Sequence, residues 1–341
     1  IACPCALGLA VPVSILVGTG RGAELGVLFR RGDALQQLAG VRVVGFDKTG
    51  TLTEGRPKVV AVQGPDWVLP MAAAVEAQSE HPLAAAILAA VTDVAEARDF
   101  KAVPGVGAEA TVAGARIAVG AARMFDAVPE ALAAEAARAA GRGESLVFVA
   151  RDGLVAGLIV VADQVKPGAA QAVAELRAMG VEAAMISGDT PAAARAVGEA
   201  LGIGRVQGGV LPEGKLDIVR SLKGAFVGDG INDAPALAAA EVGIAMGTGT
   251  DVAIEAGDVV LMRGDPRAVV SAIRLSRAVM RNIRQNLAWA FGYNVALIPV
   301  AAGALVPFGG PQVSPMLGAG AMALSSVFVL TNALRLKGVR G

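Results

Sequence analysis

The sequence predicts an α/β fold with a parallel sheet, interrupted by an inserted α+β domain and flanked by membrane-spanning helices. Short apolar runs, among them VRVVGF before Asp47 and GAFVG before Asp229, are typical of buried parallel strands. Helical patterns such as TPAAARAVGEALG lie between these runs, and the alternation indicates βαβ units with right-handed crossovers. Charged residues are absent from the stretches 1–20 and 285–334, which favours insertion of both into a membrane.

The uncharged stretch 285–334 is long enough for two membrane spans, because about 20 apolar residues cross a bilayer. The segment PFGGPQ predicts a turn between them. We therefore expect spans near Gln285–Val306 and Val313–Leu334. Basic residues flank both ends, and such residues stay in the cytoplasm, which predicts a hairpin entered and left from that side. The alternative is that these are buried helices of a large soluble core.

Five segments follow from this pattern. Residues 1–20 form a first membrane helix, 21–56 a stalk and the first part of the α/β domain, and 154–280 its second part. Residues 57–153 form the inserted domain, where an Ala-rich helix after SEHPL precedes the strand-like pieces EATVAGARIAVG and SLVFVA. Residues 281–341 hold two membrane helices and a cytoplasmic tail.

Composition excludes several functions. Lys plus Arg number 30 and Asp plus Glu number 30, so no net charge attracts nucleic acid, and aromatic residues make up only 4%. We expect no nucleic-acid partner. The single histidine, His81, excludes a multi-histidine zinc site. The chain starts with Ile inside an apolar run, which predicts a piece of a longer protein.

Polar signatures follow four of the predicted elements, and ligand chemistry in open α/β sheets lies at the carboxyl ends of the strands. Asp47 can act as a carboxylate nucleophile toward phosphorus. Ser187 and Lys215 can hold the transferred oxygens and offset their charge. Asp229 and Asp233 are hard oxygen donors suited to Mg²⁺. Each signal alone has a bland alternative, such as a turn residue or a solvated lysine, but the four together predict phosphoryl transfer.

The segments DKTGTLT, SGD and GDGINDAPAL resemble the phosphorylation domain of P-type ATPases, within the haloacid dehalogenase superfamily. The resemblance implies a Rossmann-like sheet and transfer of the γ-phosphoryl group of ATP to Asp47. It implies Mg²⁺ held by Asp47, the Thr49 carbonyl and Asp229, with Thr51 and Ser187 against the phosphoryl group. Ser187 stands where the family usually has Thr. The remaining motif residues that the resemblance places in the catalytic site are Lys48, Gly188, Asp189, Lys215, Asn232 and Asp233.

Thr49 distinguishes the predicted phosphorylation domain of a P-type ATPase from a soluble phosphatase of the same superfamily. Such phosphatases usually carry an Asp two positions after the nucleophile as a general acid and base. Without that group the acyl phosphate should live longer, which suits an intermediate that drives a conformational change.

The inserted domain resembles the nucleotide-binding domain of heavy-metal P-type ATPases, through His81 followed by proline and through Gly105 and Gly107 in VPGVGAE. The resemblance implies that these residues surround the adenine of ATP and that Glu76 also approaches the nucleotide. The alternative is a structural histidine and an unremarkable pair of glycines. One departure is Ala121, which stands where the family often has an Asn near the nucleotide.

Cys3 and Cys5 are the only cysteines of the chain, and they flank Pro4 in the first apolar segment. Thiolates are soft ligands that select Cu(I), Zn(II) and related ions, and a proline disrupts the helix and frees backbone groups. The motif resembles the ion-binding signature of heavy-metal ATPases. The alternative is that both are ordinary small apolar residues.

The spans between 285 and 334 lack the carboxylate that a divalent ion would want, which favours Cu(I), with Ag(I) as a mimic. Other groups resemble ligands of the copper-transporting subgroup, although helix packing is an alternative for Asn294 and Met322. These candidate ligands are Tyr293, Asn294, Met322 and Ser326.

Taken together, the resemblance implies an integral membrane Cu(I) exporter with its catalytic domains in the cytoplasm. ATP, Mg²⁺, lipid and a cytoplasmic copper chaperone are the implied cofactors and partners. The Ala-, Gly- and Arg-rich composition is typical of a GC-rich genome and favours a bacterial plasma membrane. No Thr-Gly-Glu of an actuator domain occurs here. The alternatives are a zinc- or cadmium-type pump, a membrane-anchored phosphatase, and a non-catalytic metal-binding membrane protein.

Overall fold

The computed structural model describes residues 5–79, 81–310 and 313–340. The strands in this part of the chain are β1 (Val27–Phe29), β2 (Val43–Asp47), β3 (Thr53–Gln63), β4 (Ala97–Val103), β5 (Gly107–Val112), β6 (Ala115–Gly120), β7 (Ser145–Arg151), β8 (Leu154–Val165), β9 (Glu182–Ile186), β10 (Arg205–Gln207), β11 (Ala225–Gly228), β12 (Val242–Met246) and β13 (Val259–Leu261).

The α-helices are α1 (Cys5–Glu24), α2 (Gly32–Gly40), α3 (Val68–Glu76), α4 (Pro82–Leu88), α5 (Glu130–Gly141), α6 (Ala169–Ala178), α7 (Pro191–Leu201), α8 (Pro212–Leu222), α9 (Ala234–Ala239), α10 (Asp251–Ala256), α11 (Arg267–Ala301) and α12 (Pro315–Leu334). Some of them, α4, α7, α10 and α12, begin with a side-chain cap. Thr190, for example, caps α7 by accepting a hydrogen bond from the Ala193 amide, and Pro191 fills the first helical position.

The first sheet has seven strands in the order β1-β13-β12-β11-β2-β9-β10. The pairs β11–β12, β12–β13 and β9–β10 are parallel, so the predicted α/β sheet is confirmed. Strand β12 is buried at every position, as expected of a parallel strand covered on both faces. The short edge strand β1, which pairs antiparallel with β13, was not predicted.

The chain divides into two compact units. The first consists of Ile1–Val44, Ala174–Glu182 and Ile218–Gly341, and the second of Gly45–Val173 and Ala183–Asp217. The predicted domain limits stay predictions, although the second sheet, described next, extends beyond 57–153 at both ends.

The second sheet has six antiparallel strands in the order β3-β8-β7-β6-β5-β4 and lies in the second unit. Alternate residues of each strand point to opposite faces, so β7 serves two cores. Val147 and Val149 pack with α3 and α4, whereas Phe148 and Ala150 pack against α5. This is the inserted α+β domain expected from the sequence.

Three helices of the first unit, α1, α11 and α12, pack together around Ala6, Ala10, Ala290 and Val329. By length and composition, two of the helices in the described residues could cross a membrane: Ala6–Glu24 and Pro315–Gly338. Few of their residues are buried, and large apolar side chains such as Leu16 and Met316 are exposed, unlike the side chains of a soluble core helix.

The predicted span Gln285–Val306 needs correction. Residues 285–301 form the second half of α11, a single helix of 35 residues, and the last five residues of the predicted span lie beyond its end at Ala301. The helix stops there because Gly303 adopts a left-handed conformation (φ +88°) and a short 3₁₀ turn follows at Val306–Phe308. The last two residues of the predicted turn PFGGPQ lie outside the described residues.

Candidate active site

Asp47 is the last residue of β2, and a tight turn follows it at Lys48–Leu52. Gly50 has φ +73°, a conformation that side chains rarely adopt, so the glycine of DKTGTLT is required by the turn. The turn buries Thr51 and Leu52 completely and leaves Asp47 only 8% exposed. The motif therefore presents a carboxylate at the carboxyl end of a parallel strand, where solvent access is restricted.

Lys215, in the first turns of α8, pairs with this carboxylate. Its Nζ atom lies 2.5 Å from Asp47 Oδ1, and both side chains are about nine-tenths buried. Within the described residues, the Thr51 hydroxyl is fully buried and has no hydrogen-bond partner. A buried donor without a partner costs free energy, so it suits a ligand that brings its own acceptor oxygens.

The loop after β9 contributes a second charged pair in the same unit. Lys48 Nζ forms an ion pair with the Asp189 carboxylate. The hydroxyl of Ser187 accepts a hydrogen bond from the Asp189 amide at 3.1 Å, and Ser187 is 2% exposed. Gly188 joins the two and would tolerate a Cβ atom, since the nearest atom lies at 3.5 Å.

A cavity of about 650 Å³ opens beside this loop. Lys48, Thr49 and Asp189 line one side, and Gly143 and Glu144, from the segment between α5 and β7, line another. Three of the predicted catalytic residues of the second unit thus line a cavity that also borders the inserted domain.

In the first unit, the loop after β11 is organised by Asp233. Its Oδ2 atom accepts hydrogen bonds from the amides of Asp229 (3.1 Å) and Gly230 (3.2 Å), and the side chain is 3% exposed. A Cβ atom at Gly228 would lie 2.8 Å from Asp233 Cβ, so glycine is needed there. Asn232 is exposed. Asp233 thereby holds the loop that carries Asp229.

The residues expected to surround the nucleotide line one cavity of about 390 Å³ in the inserted domain. Its walls include Glu76, His81, Gly105 and Gly107, together with Ala121 at the position of the family's Asn. The structure therefore brings these residues together, although they come from different elements.

His81 also has a structural role as the N-cap of α4. Its Nδ1 atom accepts a hydrogen bond from the Leu83 amide at 3.3 Å. That bond places the proton of the neutral ring on Nε2, which remains a donor. The structural and ligand-binding readings of His81 are thus compatible.

Gly107 has a packing reason to be glycine. It pairs with Gly120 across β5 and β6, and a Cβ atom at Gly107 would lie 2.1 Å from the Val119 carbonyl oxygen. Gly105, in contrast, has φ +70° and faces open space. Of the two, Gly105 is the one whose backbone a ligand can approach.

Glu76 is 8% exposed, and its Oε2 atom has no hydrogen-bond partner among the described residues. Burial raises the pKa of this carboxyl above its ordinary value, and a hydrogen bond from Ser79 and the charge of His81 oppose that shift in part. Protonation thus stabilises the fold below the ordinary pKa, and this stabilisation is lost as pH rises through the raised pKa.

We expect Glu76→Gln to raise the free energy of unfolding by about 1 kcal/mol at pH 7, because a neutral amide costs less to bury than a carboxylate. The gain should vanish near pH 4, where Glu76 is itself protonated. Apparent melting temperatures of both proteins from pH 4 to pH 8 test this. An equal difference at every pH would contradict the assignment of the effect to ionisation.

The candidate ion ligands lie on the packed helices. Asn294 Nδ2 donates to the Ala290 carbonyl at 2.9 Å, and its Oδ1 atom is buried without a partner in the described part of the chain. Tyr293 packs against the core that contains Ala6 of α1. Met322 and Ser326 are successive-turn neighbours on α12. Cys3 lies outside the described residues, and Cys5 begins α1.

A family model described as haloacid dehalogenase-like hydrolase matches residues 41–241, more than half of the chain. This chain belongs to that family. The haloacid dehalogenase-like region contains Asp47, Ser187, Lys215 and Asp229, and four strands of the seven-stranded sheet, β2, β9, β10 and β11, lie within it.

Relatives of this haloacid dehalogenase-like chain are named as metal-transporting ATPases. Copper-transporting ATPase 1 of Rhizobium meliloti (strain 1021) is 52% identical over 99% of this chain and 43% of the relative. The silver exporting P-type ATPase of Salmonella typhimurium is 46% identical over 100% of this chain and 43% of the relative. The resemblance to heavy-metal P-type ATPases is confirmed, and the chain spans less than half the length of these relatives.

A solved structure extends the likeness to the whole fold. The crystal structure of a zinc-transporting PIB-type ATPase in the E2.Pi state has a TM-score of 0.89 and 40% identity. The match covers 98% of this chain and 56% of that one.

Sequence reasoning missed two groups that brace the Asp47 turn. The Thr53 hydroxyl lies 2.5 Å from Asp163 Oδ2, and Lys166 Nζ donates to the Gly50 carbonyl. Both partners come from ADQVKP at the end of β8, where polar residues interrupt an apolar strand. That interruption was the available signal.

Proposed function

We propose that this chain is the catalytic and ion-binding part of an ATP-driven Cu(I) transporter that also accepts Ag(I). It exports the ion from the cytoplasm across a bacterial plasma membrane through an aspartyl phosphate. One observation carries the proposal: the carboxylate of Asp47 lies buried against Lys215, and the turn that follows Asp47 carries the Thr51 hydroxyl, which has no hydrogen-bond partner among the described residues. A nucleophile, a cation and a free donor are what phosphoryl transfer to a carboxylate requires.

In the proposed reaction an Asp47 carboxylate oxygen attacks the γ-phosphorus of ATP. The bond from that phosphorus to the β–γ bridging oxygen breaks, and ADP leaves with the electron pair. Lys215 offsets the charge of the transferred oxygens, and Thr51 donates a hydrogen bond to one of them. Water later attacks the phosphorus, which releases inorganic phosphate and restores the carboxylate. Thr49 cannot act as an acid or base, so the acyl phosphate persists until the hydrolytic step.

The donor set fits Mg²⁺, because carboxylate and carbonyl oxygens are hard ligands. Asp47, Asp229 and the Thr49 carbonyl would hold the ion, which neutralises phosphate charge when it is bound. Asp233 supports this set by fixing the backbone at Asp229.

The cavity of the inserted domain supports ATP as the nucleotide. His81 Nε2 can donate to a base nitrogen, and the backbone at Gly105 is open to close approach. Glu76 supplies an acceptor or, once protonated, a donor from the wall of the same cavity. Ala121 offers no polar group, which predicts weaker nucleotide binding than in relatives with Asn.

Cu(I) is favoured as cargo by the donor types. Cys3 and Cys5 supply thiols, Met322 a thioether, and Asn294 an oxygen that has no partner in the described part of the chain. No carboxylate lies between 285 and 334. The copper and silver relatives support this choice. The zinc-transporting structural relative keeps zinc as the second candidate.

The test is ATPase activity of a full-length protein that contains this chain, titrated with Cu(I), Ag(I), Zn(II) and Cd(II) under reducing conditions. We expect Cu(I) and Ag(I) to stimulate hydrolysis, and Cys3→Ala/Cys5→Ala to remove the stimulation by a factor of about 10² or more, since thiolates dominate soft-ion affinity. Stimulation by Zn(II) alone would overturn the choice of cargo. Phosphate release without any metal dependence would instead favour a phosphatase.

A further inference from the structure

A cluster of buried polar side chains links the three packed helices of the first unit. It consists of Ser14 on α1, Asn282 and Asn286 on α11, and Asn332 on α12. All four are at most 7% exposed. We call it the amide network.

The network is closed by hydrogen bonds between helices and by one within α11. Asn286 Nδ2 donates to Ser14 Oγ (3.1 Å) and to Asn282 Oδ1 (3.2 Å). Asn332 Nδ2 donates to Asn286 Oδ1 (2.9 Å), and Asn282 Nδ2 donates to the Asn332 carbonyl (2.8 Å). Arg335 donates to Asn332 Oδ1 at 3.1 Å. The side-chain amides use their donors and acceptors on one another. The network therefore fixes the register of the three helices rather than binding a ligand.

Close backbone approach beside the network gives a second, independent sign of a tight joint. A Cβ atom at Gly18, one turn after Ser14, would lie 2.4 Å from Val279 of α11. At Gly22 a Cβ atom would lie 3.3 Å from Leu275. Small residues on one face of α1 thus let it lie directly against α11.

The network lies at the midpoint of α11, between two different environments. The first half of the helix is buried along Val269 and Ile273, and Arg277 donates to the Met179 carbonyl at 2.9 Å. The second half carries Tyr293 and Asn294. α11 is a single helix from Arg267 to Ala301, with Pro299 only in its last turn, and the network attaches α1 to it. Ser14 lies about 13 Å along α1 from Cys5, at 1.5 Å per residue.

We propose that the amide network positions the Cys-Pro-Cys helix against α11. Through this contact, binding of the ion affects the phosphorylation of Asp47, and phosphorylation affects ion binding. The inference rests on the proposed function. Its residues touch neither ATP nor the ion, and they act by holding α1, α11 and α12 in one register.

The experiment compares two buried serines in the full-length protein. Ser14→Ala removes a hydroxyl that bonds across helices. Ser325→Ala removes one that, among the described residues, bonds to the Met322 carbonyl of its own helix. We expect Ser14→Ala and Asn286→Leu to lower the ratio of Cu(I)-stimulated to metal-free ATPase rates about tenfold, a typical allosteric coupling, with bound Cu(I) per protein unchanged. Ser325→Ala should keep the ratio, and Ser14→Thr, which retains the hydroxyl, should restore it.

Three outcomes are distinguishable. A folded Ser14→Ala or Asn286→Leu protein that keeps the wild-type ratio of Cu(I)-stimulated to metal-free ATPase rates, and shows only a lower melting temperature, would overturn the proposed coupling role of the amide network. Loss of bound Cu(I) in these variants would also overturn it, because the network would then act on the ion site itself. A wild-type protein with no metal stimulation would refute the proposed function instead. If Ser14→Ala does not fold, Asn286→Leu and Ser14→Thr still decide the matter.

Discussion

Asp47→Asn will abolish phosphorylation from ATP, with a loss of about 10³-fold or more, because an amide cannot take a phosphoryl group as a carboxylate does. The substitution keeps the size of the side chain, so the Lys48–Leu52 turn should persist. Acid-quenched incorporation of the γ-phosphate of radiolabelled ATP measures the effect directly, and hydroxylamine should release the label from the wild-type protein.

Asp33→Asn is the matched control for this change. Asp33 lies in the first turn of α2, and its carboxylate pairs with Arg31 on the surface at 2.5 Å. We expect it to leave labelling unchanged. Binding of a fluorescent ATP analogue should survive in both variants, since the nucleotide cavity is formed by other residues. Labelling of the Asp47→Asn protein at the wild-type level would show that another residue is the nucleophile.

Lys215→Met should lower the rate of phosphorylation by about 10²–10³-fold, the usual effect of removing one group that stabilises developing charge. It should also destabilise the protein by about 3 kcal/mol, because it removes the cation that lies 2.5 Å from the buried Asp47 carboxylate. Quenched-flow labelling measures the first effect and thermal unfolding the second.

The double substitution Asp47→Asn/Lys215→Met separates the two roles of the pair. Replacing both charged groups removes the uncompensated charge, so the double variant should recover most of the stability lost by Lys215→Met. Its phosphorylation should remain abolished. Additive destabilisation would show that the two residues do not interact in the folded protein, against the short contact seen here.

Residue pattern alone predicted much of the catalytic sheet. Strands β2, β9, β11 and β12 are apolar runs, the first three of which end in a polar motif, and each lies where that pattern placed it. The edge strand β1 escaped notice because three residues carry no periodic signal. The predicted end of the span that begins at Gln285 was wrong because the apolar composition continues past Ala301. The helix ends at Ala301 because Gly303 adopts a left-handed conformation.

The catalytic site and the nucleotide cavity were also predicted only in part from the sequence. The roles expected for Asp47 and Lys215 came from residue type and motif, but their 2.5 Å contact required a fold that brings α8 to the end of β2. The sequence singled out Glu76, His81, Gly105 and Gly107 by resemblance, and the structure lines one cavity with them. It also showed that Gly107 is glycine because it faces Gly120 across two strands.

The properties that follow from the sequence alone are therefore local. They are which segments form strands or apolar helices, and which of these segments end in groups that can act as a nucleophile, stabilise charge or bind a metal ion. These properties depend on spacing and residue type within a few turns of chain. The tertiary structure alone decided which distant groups meet. Ser14, Asn282, Asn286 and Asn332 show this most clearly. Each is an unremarkable polar residue in its own helix, and only helix packing makes them one hydrogen-bonded joint, because side chains far apart in the chain satisfy one another's donors and acceptors.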